Sequence, residues 1–107
     1  MAPAVDTCDD NAGFNKFAND STPAVFYFYA SWDAASKIIA PYVEELAKKD
    51  SNIKFVKVDV DVAEDLANGQ NVWQFPTFLF YKKGRQHDRY VGSDRSTLAN
   101  KIKALKA

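Results

Sequence analysis

The run Val25-Phe26-Tyr27-Phe28-Tyr29 comes after the turn-forming Ser21-Thr22-Pro23 and contains no polar break, so both faces of any strand it forms have to be covered. A strand of that kind belongs at the centre of a sheet. The next segment supplies one of the covers. From Asp33 to about Lys49, the apolar residues Ile38, Ile39, Tyr42, Val43 and Leu46 recur at helical spacing, with Glu44, Glu45, Lys48 and Lys49 on the other side. Pro41 lies inside this helix and should kink it. Ile53 to Val60 then alternates apolar and polar residues as a strand does. Two strands joined by a helix of this length make a parallel βαβ unit.

The rest of the chain extends the pattern. A short helical segment is expected around Val62 to Ala67. Thr77-Phe78-Leu79-Phe80-Tyr81 and a strand near Arg89-Tyr90-Val91 flank the turn signal Lys82-Lys83-Gly84-Arg85, which pairs them as an antiparallel hairpin. Leu98, Ile102 and Leu105 share one face of a last helix, with Ser93 or Asp94 as its cap. Upstream, Phe14 and Phe17 can anchor a first short helix after a weak edge strand near Ala4-Val5. The expected architecture is an α/β fold of order βαβαβαββα, a central mixed sheet with helices on both faces. At 107 residues it is read as one domain spanning 1–107.

Composition narrows the partners. The 14 basic and 14 acidic side chains cancel, which leaves no electrostatic footprint for nucleic acid or an anionic membrane. No apolar stretch approaches the roughly 20 residues of a membrane span. The start, Met1-Ala2-Pro3-Ala4-Val5, has no basic region of the secretory kind, so a cytoplasmic protein is expected. One cysteine, Cys8, and one histidine, His87, cannot assemble a four-ligand metal site, and no cofactor is expected. Cys8 is expected in an exposed segment, where Asp6, Asp9 and Asp10 disfavour its thiolate.

The strand before Trp32, the helix containing Ala40-Pro41, Lys57-Val58-Asp59-Val60-Asp61, Phe75-Pro76-Thr77-Phe78, Gly84 and Gly92 together resemble the thioredoxin family over nearly the whole chain. The resemblance implies the thioredoxin fold. It also implies a Trp-Cys-Gly-Pro-Cys-Lys motif, where this chain has Trp32-Asp33-Ala34-Ala35-Ser36-Lys37. Asp33 and Ser36 stand where the two cysteines would be. Asp33 is read as a helix cap that keeps negative charge at the helix start, with a general base or metal ligand as the alternative. Ser36 is expected to supplement that capping, and Ala34-Ala35 to give a more regular first turn. The family's buried aspartate corresponds to Tyr27, and Lys57, which would face it, is expected to turn its amine to solvent.

Thiol–disulfide exchange needs a thiolate attacker and a second sulfur, and neither a carboxylate nor a hydroxyl replaces them. The expectation is therefore a redox-inactive protein, not an enzyme and with no catalytic residue. It would bind a protein or extended peptide on the surface that the resemblance assigns to substrate docking: Trp32, Phe75, Pro76, Val91, Gly92 and Ser93, with Trp73 just outside that rim. A cis Phe75–Pro76 bond is implied by the same resemblance. One alternative is a residual thiol oxidoreductase acting through Cys8 as a single reactive thiol. Another is a structural scaffold, or a homodimer formed through the apolar patch.

Overall fold

A computed structural model describes residues 4–107. Strands β1 (Val5–Thr7), β2 (Ala24–Tyr29), β3 (Lys54–Asp59), β4 (Thr77–Lys82) and β5 (Arg85–Val91) form one sheet of order β1-β3-β2-β4-β5. Helices α1 (Asn11–Ala18), α2 (Ala34–Lys49), α3 (Glu64–Gly69) and α4 (Arg95–Lys106) intervene, so the order of elements is the one expected from the sequence. β2 pairs in parallel with β3, Phe26 opposite Val56, and antiparallel with β4, Phe26 opposite Leu79. The all-apolar run is thus central.

Successive side chains of a strand face opposite sides, and β2 uses both. Val25 and Tyr27 pack with Phe55, Phe78 and Phe80 against Ile39 and Val43 of α2 and Leu98 and Ile102 of α4. Phe26 and Phe28 pack with Val56, Val58 and Leu79 against Phe14 of α1 and Leu66 of α3. Phe14, Phe26 and Tyr81 form an aromatic cluster, with both phenylalanine rings edge-on to Tyr81. Phe17 packs at its margin.

Boundaries shift where neighbours override local pattern. β1 starts at Val5 because three residues pair in register with Phe55, Val56 and Lys57 of β3. β5 begins at Arg85, earlier than its apolar residues announce, because the Lys83-Gly84 turn, with both residues at positive φ (53° and 79°), folds it directly back on β4. The Gly84 amide donates to the Ala18 carbonyl at 2.8 Å, which ties the turn to α1. α3 begins two residues later than expected, at Glu64, and Val62 is left exposed. Asp94, not Ser93, caps α4, accepting from the Thr97 amide at 2.9 Å. His87 is exposed on β5.

Phe26 is fully buried at the middle of the central strand and in the aromatic cluster. Phe26→Ala is expected to lower unfolding stability by about 3–5 kcal/mol in urea titration, the range for truncating a large core side chain.

Candidate functional site

β1, β3 and β2 run in parallel, so their carboxyl ends meet at one end of the sheet, where open α/β sheets place their ligand sites. The register brings the rest of the candidate residues to that end. Phe28 pairs with Thr77 and Thr77 with Val91, which puts Phe75-Pro76 and Gly92-Ser93 beside the loop after β2.

That loop leads into α2 through Asp33, an extended residue whose carboxylate accepts from the Ser36 amide at 2.8 Å. Asp33 is therefore a helix cap. Among the described residues, no group of three or more His, Cys, Asp or Glu side chains is placed to hold a metal. Ser36 does not supplement the cap as expected. Its side chain turns inward, is buried, and accepts from the Ala30 amide at 3.4 Å, closing the loop on itself. Ala34 is exposed and Ala35 half-buried on the outer side of this first turn.

Tyr27 is stacked between Tyr29 and Phe78, and its hydroxyl donates to the Ser36 carbonyl at 2.6 Å. Burial pushes the Tyr27 phenol well above its ordinary value, with the charges of Tyr29 and Asp33 adding to the rise, so it stays a proton donor. A phenol thus anchors the start of α2 to the central strand. Beside it lies a cavity of about 300 Å³ whose wall includes Tyr27, Tyr29, Ser36 and Lys57. Lys57 is half-buried in that wall, flanked by β1 and β2 on both sides.

Trp32 is 64% exposed. Its indole is held at two points: Nε1 donates to an Asp61 carboxylate oxygen at 3.1 Å, and the ring meets Phe75 edge-on with centroids 5.8 Å apart. The Phe75–Pro76 peptide bond is cis, Pro76 is buried, and its carbonyl accepts from the Gly92 amide at 3.1 Å. Gly92 has φ +148°, and a Cβ there would come within 2.7 Å of the Tyr90 hydroxyl, which is itself occupied by the Asp94 amide. No side chain fits at position 92 without displacing Tyr90. Val91 is exposed and Ser93 half-buried beside it, and Trp73 is 65% exposed on the α3 side of Phe75. The structure brings these residues together around Trp32.

Cys8 departs most from expectation. It comes directly after β1, its amide donates to the Lys57 carbonyl at 3.0 Å, and the residue is only 3% exposed. The first turn of α1 covers it, and its Sγ donates to the Asp10 carbonyl at 3.3 Å. Gly13 makes room: a Cβ at that position would stand 3.2 Å from Sγ. Burial pushes the thiol above its ordinary value, and the charges of Asp10 and Asp9 add to the rise, while a backbone hydrogen bond at Asp10 works the other way. The neighbouring aspartates suggested exposure; the apolar core behind β1 and β3 decided otherwise.

Residues 5–104 match the family model described as thioredoxin. The chain belongs to the thioredoxin family. A thioredoxin of Aspergillus fumigatus is 37% identical over 92% of this chain and 92% of its own length. A thioredoxin H-type of Fagopyrum esculentum is 39% identical over 86% and 79%. Among solved structures, the thioredoxin of Fasciola hepatica is 35% identical with a TM-score of 0.89, covering 92% of this chain and 97% of that one. That of Malassezia sympodialis superposes over 100% and 96% of the two chains with a TM-score of 0.91 at 29% identity.

These relatives overturn two expectations, that this thioredoxin-family chain is a redox-inactive binding module and that it is not an enzyme. They carry the name of an oxidoreductase family, and none is described as a binding module. Both expectations rested on the missing cysteines at positions 33 and 36. Exchange can also run through one thiol, in which case the second sulfur comes from outside the chain. The fold places its sole thiol at the sheet end where Trp32 and Phe75 gather. Two contacts that hold Trp32 and the start of α2, the Asp61 acceptor and the Tyr27 hydroxyl, were not read from the sequence. An acid directly after a strand and a tyrosine among phenylalanines were their only signals.

Asp33→Ala is expected to cost about 1 kcal/mol of unfolding stability through loss of the cap. Tyr27→Phe should cost about as much through loss of a buried hydrogen bond. Asp33→Asn, which keeps an acceptor, should stay near the parent. Urea titration of the three variants checks this.

Proposed function

We propose that this chain is a thiol oxidoreductase acting on protein disulfides through Cys8, with Trp32, Phe75, Pro76, Val91, Gly92 and Ser93 receiving the substrate and Trp73 extending that surface. The observation that carries the proposal is the position of its one thiol, at the carboxyl end of β1 on the same end of the sheet as the Trp32 loop, in a chain whose relatives are named thioredoxins. The exposed, fixed indole of Trp32 supports the docking role, since aromatic anchors are enriched where proteins meet.

The chemistry closes with a low-molecular-weight thiol as reductant. The Cys8 thiolate attacks one sulfur of the substrate disulfide, forming a Cys8–substrate disulfide and releasing the other substrate sulfur as a thiolate. The small thiol, as thiolate, then attacks the Cys8 sulfur and frees the second substrate sulfur. A second small thiolate restores Cys8 and leaves as the oxidised, disulfide-bonded form of the reductant. Two thiols are oxidised for each disulfide reduced. Attack requires the first turn of α1 to open, because that turn covers Sγ. Asp33 and Ser36 take no part in sulfur chemistry; they hold the loop that presents Trp32.

The raised value of the Cys8 thiol fixes the pH dependence. The thiol stays protonated at neutral pH, and the thiolate grows as pH rises through the alkaline range. With insulin as disulfide substrate and reduced glutathione as reductant, the parent is expected to exceed the glutathione-only rate by a margin that widens with pH. Cys8→Ser should fall to the background, and Trp32→Ala should raise KM. A Cys8→Ser variant as active as the parent would overturn the proposal, as would a parent indistinguishable from glutathione alone.

A further inference from the structure

A groove of about 240 Å³ is lined by the two exposed indoles of Trp32 and Trp73, by Phe75 and by the carboxylates of Asp61 and Glu64. It continues past Asp61 and Glu64 into a neighbouring hollow of about 420 Å³ that adds Asp9, Asp10 and Asp65. Among the described residues, no Lys, Arg or His lines either one. The four ion pairs among the described residues join Lys49 to Glu45, Lys54 to Asp6, Lys101 to Asp88 and Lys106 to Asp50, and so use none of these five carboxylates. In a chain whose charges sum to zero, negative charge gathers here with no cation among the described lining residues.

We propose that this groove takes an arginine- or lysine-bearing extended segment of a protein partner, an inference that rests on the docking surface of the preceding section and names the class of its occupant. Charge and aromatic surface select the same group. A guanidinium or ammonium over an indole face is attracted by the ring's negative face, and an indole is the best such partner among side chains. The carboxylates of Asp61, which is bonded to the Trp32 indole, and of Glu64 line the same groove and can receive its N–H donors. The bond from Trp32 Nε1 to Asp61 fixes the indole before the partner arrives, so little ordering is left for binding to do. An acidic segment would meet like charge from five carboxylates and be rejected. The remaining carboxylates in the second hollow steer the approach of a basic partner, an effect that salt screens.

The test uses the Cys8→Ser variant, which binds without exchange, titrated with a blocked hexapeptide of alternating glycine and arginine and with its glycine–glutamate counterpart, read by tryptophan fluorescence and calorimetry. The arginine peptide is expected to bind, more weakly as salt is raised, while the glutamate peptide does not. Asp61→Asn/Glu64→Gln should weaken binding by at least roughly tenfold, since each lost charge-assisted contact is worth about that much, and Trp73→Ala should weaken it roughly tenfold with Trp32 still reporting. No binding of the arginine peptide would overturn the inference, as would equal binding of both peptides or an unchanged acid-to-amide variant. Concentration-dependent sedimentation without peptide, abolished by Trp73→Ala, would assign the groove to a second copy of the chain and overturn it too. Cys8-dependent turnover that persists without peptide binding leaves the oxidoreductase reading standing and removes only the basic partner.

Discussion

β2 has no face left for water: Val25 and Tyr27 belong to the layer of α2 and α4, and Phe26 and Phe28 to that of α1 and α3. The other elements are arranged around that demand. A two-sided apolar strand needs a neighbour on each edge and a helical layer on each face, and a parallel neighbour requires a helical crossover. α2 is that crossover between β2 and β3. Because the parallel strands end together, the loop that starts α2, the segment after β1 and the Asp61 loop after β3 are delivered to one edge of the molecule. The position of the candidate site is a consequence of how the core is covered.

The loop between β2 and α2 shows how the fold holds its shape with a changed set of residues. The carboxylate of Asp33 satisfies the amide of Ser36, the hydroxyl of Ser36 satisfies Ala30, and the phenol of Tyr27 reaches the carbonyl of Ser36. These three side-chain contacts satisfy polar backbone groups around the first turn, as such groups require when water is excluded. No described buried side-chain nitrogen or oxygen is left without a partner. Trp32, next to the cap in the chain, is consequently presented outward on a fixed base, and Asp61 sets its orientation.

Local pattern carried much of this architecture. The aromatic run of β2, the helical spacing of Ile39 and Val43, the Lys83-Gly84 turn and the face of Leu98, Ile102 and Leu105 all act through periodicity or turn chemistry that a sequence displays. Positions set by long-range contact were not legible. Cys8 stands among aspartates and looked exposed, yet parallel pairing with β3 and the cover of α1 bury it. Ser36 looked like a second cap, but the inward turn of the loop directs it to Ala30. The uncompensated carboxylates around the Trp32–Trp73 groove come from three separate stretches of chain, after β1, after β3 and in α3, so no local window shows them together. The expectation of a redox-inactive chain has a related origin: positions 33 and 36 show the loss of two sulfurs locally, whereas only the pairing of β1 with β3 brings the single thiol to the Trp32 end of the sheet.

The proposed oxidoreductase activity requires that Cys8, though covered, react in the native protein. Intact-protein mass spectrometry after incubation of the folded chain with oxidised glutathione tests that claim directly. One glutathionyl adduct at Cys8 is expected, formed faster as pH rises and removed by reduced glutathione, with the native fold retained by circular dichroism. A native protein that stays unmodified across that pH range, while the urea-unfolded chain is modified readily, would contradict it.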